Sequence, residues 1–261
     1  MNRLEKKYPL KGFIDTHLHT APDSKPRLLS DVEAARKARL EKMRAVVIKS
    51  HTEPTSGRAS IARQETNFKV FGGICLNRSV GGYNAEAVKA AAAMDGKIVW
   101  LPTISRDLSL KDNWQHLEEI INIIRANDMV LATGHLGVTD ILDVLDIASS
   151  LGLEKIMVNH PLTRVVGASV EEQREMSRKA YLEHCYVACL PGHDLLDPAI
   201  IAESIKKIGA RRCILATDLG QSDNPTPAEG FKSFISMMLG YGISYREIRQ
   251  MCLINPYKIF F

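Results

Sequence analysis

Residues 12–19 read Gly12-Phe13-Ile14-Asp15-Thr16-His17-Leu18-His19, a short apolar run that ends in polar residues. Seven more runs of this kind follow, at residues 45–48, 70–76, 98–101, 129–132, 155–158, 181–187 and 213–216. From Ile14 to Ile214 they recur about every 29 residues, room for one strand, one helix and two short loops. The intervals hold charged, Ala-rich segments. Those at 30–40 and 84–94 open on the helix N-caps Ser30 and Asn84, and Gly96, Gly152 and Gly209 stand just past helical runs, where a left-handed residue ends a helix. Strand alternating with helix requires a parallel sheet. Eight such units predict an α/β fold, a single (β/α)8 TIM barrel with outer helices and residues 1–261 as one domain. A doubly wound sheet would need a Gly-rich phosphate turn, and the sequence has no Gly-x-Gly-x-x-Gly.

The composition narrows the function classes. With 45% hydrophobic and 25% charged residues, the 261-residue chain is neither disordered nor fibrous. Its segments are too short to span a membrane, and the start Met1-Asn2-Arg3-Leu4-Glu5-Lys6-Lys7 lacks the apolar centre of a secretory signal, so a cytoplasmic protein is expected. The 34 Lys and Arg exceed the 30 Asp and Glu by four and are scattered, which argues against nucleic acid and leaves small anions open. Five Cys without a Cys-x-x-Cys pair read as reduced core thiols.

In a barrel of this kind the reacting groups project from the carboxyl ends of the strands. Three residues at each of eight strand ends make up roughly 9% of the chain, so fewer than one of its eight His belongs there by chance. Five fall there: His17, His19, His51, His135 and His160, with Asp218 after the eighth run. Residues two apart on a strand share a face, which groups Phe13, Asp15, His17 and His19 toward the mouth and Ile14, Thr16 and Leu18 toward the helices. Two imidazoles at i and i+2 can reach one ion about 2.0–2.1 Å from each nitrogen, with Asp15 bracing one of them from behind. His17, His19, His135, His160 and Asp218 together offer four neutral nitrogens and a carboxylate, a set suited to zinc or another divalent first-row metal.

A first strand ending His-x-His, single His residues after the fifth and sixth strands and an Asp after the eighth resemble the amidohydrolase superfamily of metal-dependent hydrolases, over nearly the whole chain. The resemblance implies one or two divalent ions. His17 and His19 would hold the more buried one, and His135 and His160 a second ion or the substrate's polarised oxygen. Asp218 would be ligand and general base. The ending Asn255-Pro256-Tyr257-Lys258-Ile259-Phe260 is similar to the closing helix of these proteins, and the early first strand implies the compact form without a flanking sandwich.

The chain departs from that pattern where many members carry a metal-bridging Lys or Glu, because its fourth run ends Trp100-Leu101-Pro102-Thr103. Lys49, on the inward face of the second strand, is the nearest substitute, as a carboxylated bridge, a cation for substrate or a partner of Asp15 or Glu183. His51 is a ligand or a substrate contact. Glu183 is a second buried carboxylate, catalytic or paired with a base. His184 and Cys185 read as packing, His193 as a loop residue within reach of the mouth, and His116 as surface. The polar loops 52–58, 77–84 and 221–225 are expected to form the pocket, with Arg58, Arg78 and Asn77 near a small-molecule, anionic substrate.

Asp218, His160 and Lys49 are therefore the catalytic candidates, and His51, Arg58, Asn77 and Glu183 the substrate-binding ones. The expected reaction is metal-activated water attacking an amide, lactone, ester or phosphoester. The rivals are a decarboxylase or isomerase on the same site, or an inactive binding barrel. A phosphoesterase of the polymerase-and-histidinol-phosphatase type would end in Asp-x-His, whereas Asp218 is followed by Leu219-Gly220. The apolar tail Ile259, Phe260 and Phe261 is compatible with a homo-oligomer or with docking on its own barrel.

Overall fold

The computed structural model describes residues 9–105 and 107–261, so the charged start at residues 1–7 lies outside the described residues. All eight apolar runs become parallel strands: β1 (Ile14–His19), β2 (Ala45–Lys49), β3 in two segments (Lys69–Phe71 and Gly73–Cys75), β4 (Ile98–Trp100), β5 (Val130–Ala132), β6 (Ile156–Asn159), β7 (Tyr181–Cys185) and β8 (Cys213–Ala216). The first segment of β3 pairs with β2 and the second with β4, so the ladder changes partner at Gly72. From β4 to β8 each strand pairs in parallel with its successor in sequence.

The last strand closes on the first. Asp218 N–H donates to His17 O at 2.7 Å, His19 N–H donates to Leu219 O at 2.7 Å, and Leu18 bridges Leu219 in parallel. Gly220 is required at this seam. Its φ is +133°, and a Cβ there would lie 1.8 Å from His19 O. The result is a (β/α)8 barrel.

Eight helices ring it: α1 (Asp31–Leu40), α2 (Ser56–Thr66), α3 (Ala85–Ala93), α4 (Trp114–Ala126), α5 (Val138–Ser150), α6 (Val170–Met176), α7 (Pro198–Ile208) and α8 (Pro227–Gly240). Ser30 caps α1 in a reciprocal box with Glu33, and Asn84 caps α3 by accepting from Ala87 N–H. Gly152 and Gly209 have the positive φ expected of them, though Gly209 at ψ 135° is not left-handed helical, and at the end of α3 the positive φ falls to Asp95 and not to Gly96. In α4 the buried residues Leu117, Ile120, Ile121 and Ile124 follow helical spacing and seal the strand layer. No helix among the described residues is long and apolar enough to cross a membrane.

The core has two layers. Ile14, Ala45, Val47, Ile98, Trp100, Val130, Ala132, Met157 and Ile214 fill the barrel interior, and the helix-facing side chains of the strands pack outward. One face assignment made from alternation fails. Ile14 pairs with Ala45 and Asp15 with Val46, but Leu18 pairs with Ile48, leaving Thr16 and His17 opposite one residue of β2. That is a β-bulge, and it shifts the phase by one residue. Ile14 therefore belongs to the interior and Phe13 to the helix layer. Asp15 lines an outer cavity with Leu18 and Val46 and accepts from Thr217 N–H (3.0 Å) and Oγ1 (2.6 Å) and from the backbone N–H of His17 (3.4 Å), so it fastens the seam and meets His17 through its backbone, not its ring.

At the amino end, α9 (Tyr245–Arg249), a π turn (Gln250–Ile254) and α10 (Asn255–Phe260) fold under the barrel. Ile259 and Phe260 are buried against Phe71, so this part of the tail docks on its own barrel while Phe261 is partly exposed. Asn255 anchors the turn, donating from Nδ2 to Ala210 O (2.8 Å) and Cys213 O (2.6 Å) at the start of β8. Asn255→Ala leaves those buried carbonyls short of a donor and is expected to lower stability by about 1–3 kcal/mol in a urea melt. An unchanged midpoint would contradict this anchoring role.

Candidate metal centre

Five imidazoles from four strand ends meet at the carboxyl mouth as a closed ring. Centroid separations run His17–His19 5.5 Å, His19–His51 4.9 Å, His51–His135 6.1 Å, His135–His160 4.9 Å and His160–His17 6.2 Å. Asp218 enters from the end of β8, its Oδ1 lying 3.2 Å from His17 Nε2 and 3.1 Å from His19 Nε2. These three atoms form a group compact enough to hold one metal ion. Backbone bends aim two of the side chains: His160 has φ +28° and Asp218 φ +52°, conformations that cost a non-glycine residue about 1–3 kcal/mol.

Glu183 sets the protons of the group. It is fully buried on β7, its Oε2 is 2.9 Å from His17 Nδ1, and it also accepts from Thr16 Oγ1 (2.5 Å) and Asn159 Nδ2 (2.8 Å). A carboxylate can only accept, so His17 carries a proton on Nδ1 and turns Nε2 to Asp218; were Nε2 bare, it would face that carboxylate with a lone pair. Two acceptors 3.2 Å apart call for a cation or a proton between them. Lys49 Nζ stands 3.1 Å from the same His17 Nε2, and it lies 5.5 Å from the centre of the Trp100 ring.

Ionisation agrees with a ligand set. Burial lowers His19 and His160 to about 4, which leaves the neutral imidazoles a metal requires. Burial also lowers His51 and His135, with Lys49 and His160 respectively adding to it. At Asp218 burial pushes the carboxyl up, but His17, His19 and Lys49 outweigh it and hold the group well below its usual range. Glu183 likewise stays low because His17 and its hydrogen-bond donors outweigh burial, whereas burial carries Asp15 to about 7. The buried atoms without a protein partner include His19 Nδ1 and Trp100 Nε1.

The mouth cavity, about 230 Å³, is lined by His19, Lys49, His51, His135, Val187, His193, Asp218 and Gln221, and also by Lys25 and Arg27. His51 is held by Thr103 Oγ1 (2.7 Å) and His160 by Thr163 Oγ1 (3.0 Å). His135 is shared with a second cavity of about 350 Å³ beneath residues 102–111 and the start of α5.

Four sequence candidates for substrate contact, Arg58, Asn77, Glu183 and Arg78, lie elsewhere. Arg58 is claimed by Asp31 (2.9 Å), Glu53 (2.6 Å) and Thr20 O (2.9 Å), because it lies in the first turn of α2 beside two acids that the linear pattern did not connect to it. Asn77 is fully buried. It accepts from the N–H groups of Thr103, Ile104 and Ser105 and donates to His51 O (2.8 Å), so it ties the loop after β4 to the residue that enters the mouth. Glu183 stands behind His17, not against the cavity, and Lys49 pairs with His17 and not with either acid. Arg78 pairs with Asp107 at the surface. Lys25 and Arg27 were missed; their only sequence signal was their place in the loop that follows β1.

A family model described as a family of unknown function, DUF6282, matches residues 12–183. No curated protein matches the chain. Among solved structures, the organophosphorus hydrolase from Deinococcus radiodurans is similar at 15% identity and TM-score 0.65, over 95% of this chain and 92% of that one. A candidate 2-pyrone-4,6-dicarboxylic acid hydrolase from Pseudomonas putida is similar at 17% identity and TM-score 0.66, over 95% and 97%. A mutant phosphotriesterase-like lactonase from Deinococcus radiodurans gives 15% identity and TM-score 0.65 over 95% of each chain. At such identities the likeness is one of fold, the (β/α)8 barrel.

Acid stability offers a check on the buried histidines. His184, on β7, is lowered by burial from 6.5 to about 4, and its Nε2 has no partner. Its folded pKa lies below the unfolded one, so its neutral form contributes fully above pH 6.5 and that contribution is lost as pH falls toward 4. Unfolding free energy of the chelated protein should drop over this interval, and His184→Leu should flatten the slope by about 1.4 kcal/mol per pH unit. Identical slopes in urea melts would sink the assignment.

Proposed function

This chain belongs to the DUF6282 family, and we propose that it is a single-domain, metal-dependent hydrolase of the amidohydrolase type acting on a small molecule through an amide, lactone, ester or phosphoester bond. The observation that carries this reading is the meeting of His17 Nε2, His19 Nε2 and Asp218 Oδ1 at the mouth of a parallel barrel. The donor set fits a divalent ion: two buried imidazole nitrogens and a partly buried carboxylate, with the His17 ring fixed in direction by Glu183. His17, His19 and Asp218 would hold one ion, zinc or another first-row metal, and His135, which lines the mouth, and His160, 4.9 Å from it ring to ring, would be ligands of a second or groups that polarise the substrate.

A divalent ion held there supplies charge that acidifies water and polarises a carbonyl or phosphoryl oxygen. Asp218, a carboxylate beside His17, His19 and Lys49, would take the proton from the attacking water. His160, neutral and held through Nδ1 by Thr163, presents Nε2 for orienting the substrate or returning a proton to the leaving group. Lys49 donates N–H to the oxygen on which negative charge grows. Asn77 acts at one remove by fixing the backbone of His51. Two of the similar folds carry the names of an organophosphorus hydrolase and a pyrone dicarboxylic acid hydrolase, and the bonds those names imply fall within this class.

A second reading has its own observation, the 3.1 Å approach of Lys49 Nζ to His17 Nε2. There Lys49 itself would supply the positive charge between His17 and Asp218. Metal analysis separates the two.

Protein purified without chelator should carry at least one equivalent of a divalent metal, and His17→Asn plus His19→Asn should remove it; unchanged stoichiometric metal in that double variant overturns the proposal. Asp218→Asn should lower kcat/KM by about 10²–10⁴ against whichever ester, lactone, amide or phosphoester in a panel is turned over. Glu183→Gln keeps the shape but weakens the hold on His17, and metal affinity should fall about 10–100-fold. Equal affinity in competition with a fluorescent chelator would show that Glu183 does not position His17.

A further inference from the structure

The mouth holds more basic side chains than a cluster of metal ligands explains. Lys25, Arg27 and Lys49 line it beside His51, His135 and His193, and Asp218, already engaged with His17 and His19, is the one acid among the lining residues. Lys49 meets His17 and has a part in the proposed reaction, whereas Lys25 and Arg27 have none.

Their loop is built to stand over the cavity. After β1 the chain folds back so that Ala21 N–H donates to Leu29 O and Leu28 N–H donates to Gly220 O, each at 2.8 Å, and Arg27 bridges Gln221 in antiparallel fashion. The loops that follow the first and last strands thus form one rim. Asp23 takes Arg27 Nε at 3.1 Å and Nη2 at 3.0 Å on a single oxygen, and the two side chains are 4% and 1% exposed. Asp23 does not line the mouth and Arg27 does, so the pair presents its positive end to the cavity. Nη1 of Arg27 has no hydrogen-bond partner among the described residues. Lys25 is two residues away in sequence and exposed, and it lines the same cavity.

We propose that Arg27 and Lys25 form a subsite for an oxyanion, a carboxylate or phosphate that the substrate carries away from the scissile bond. The substrate class is then an anionic small molecule whose charged end rests on the rim while its reactive bond reaches His17, His19 and Asp218. Guanidinium and ammonium groups above a walled cavity concentrate anions of this size, and the free edge of Arg27 gives directed hydrogen bonds that a diffuse field lacks. This assignment rests on the proposed reading of the mouth as a hydrolase site, and its test separates the two.

Isothermal titration of the protein as purified, with malonate and separately with inorganic phosphate, is the measurement, with malonamide as the uncharged control. Malonate should bind and malonamide should not, with affinity falling as salt rises. Malonate and phosphate distinguish a carboxylate from a phosphate as the preferred group. Lys25→Gln, an exposed change without a folding cost, should weaken anion binding at least threefold, and Lys25→Gln with Arg27→Met at least tenfold. Metal content should stay as in the parent. Affinity within twofold of the parent in the double variant, or equal binding of malonate and malonamide, overturns the subsite while leaving the metal reading intact. Should Arg27→Met not fold, an unchanged affinity in Lys25→Gln alone is sufficient to overturn it. Binding that depends on Arg27 in a protein devoid of metal supports the subsite and rejects the hydrolase reading instead.

Discussion

One hydrogen bond does two jobs in this molecule. Asp218 N–H meets His17 O at 2.7 Å, which pairs the last strand end with the first and closes the barrel. The same pairing carries the Asp218 carboxylate to 3.2 Å from His17 Nε2, although 201 positions separate the residues in sequence. Thr217, one residue earlier, fastens the seam from outside by donating to Asp15. The candidate metal centre is therefore a by-product of closure: an open sheet with the same sequence would leave the His-x-His pair and the aspartate at opposite edges. Gly220 permits the approach, because any side chain there would strike His19 O.

Around that seam the electrostatics are arranged in depth. Glu183 is the innermost charge, and burial alone would neutralise it; four donors, His17, Thr16, Asn159 and Cys185, surround it instead. Its effect passes outward through His17, whose ring can turn only one nitrogen toward the mouth. Asp218 and Lys49 meet that nitrogen, and the other imidazoles stay neutral because protonating them in this space is unfavourable. A cation held by these atoms would relieve the facing lone pairs of His17 and Asp218, which no arrangement of neutral side chains does equally well.

Much of this was legible in the sequence, and what was not has definite causes. Strand positions followed from apolar runs, and the five imidazoles and Asp218 from what terminates them, since a barrel turns strand ends into neighbours whatever their separation. Lys49 was readable as inward-facing because alternation on β2 is regular. On β1 alternation breaks at Thr16 and His17, and a bulge has no residue signature that announces it; Asp15 was consequently placed on the wrong face. Arg58, Asn77 and Glu183 were recognised as important polar residues, but charge and position do not disclose which acids or backbone groups will claim them. Asp31 and Glu53 claimed Arg58, the loop at 103–105 claimed Asn77, and His17 claimed Glu183. Conversely Arg27 looked unremarkable until the rim it sits on was assembled from two loops far apart in the chain.

Part of the irregular backbone shapes the site. The bulge in β1, the left-handed His160 and Asp218 and the close passage at Gly220 all fall at the carboxyl ends of the strands. The amino end is instead sealed by Phe260 stacked on Phe71 at 5.6 Å, by Ile259, and by Asn255 bonded to the start of β8. Strained conformations persist only where surrounding contacts over-determine them, and the plug, the interior residues and the helix layer supply those contacts from below. The mouth is thereby supported well enough to hold a cluster of imidazoles, a carboxylate and an amine, even though His17 and Asp218 also close the barrel there. Closure brings the site together, and the packed amino end supports it from below.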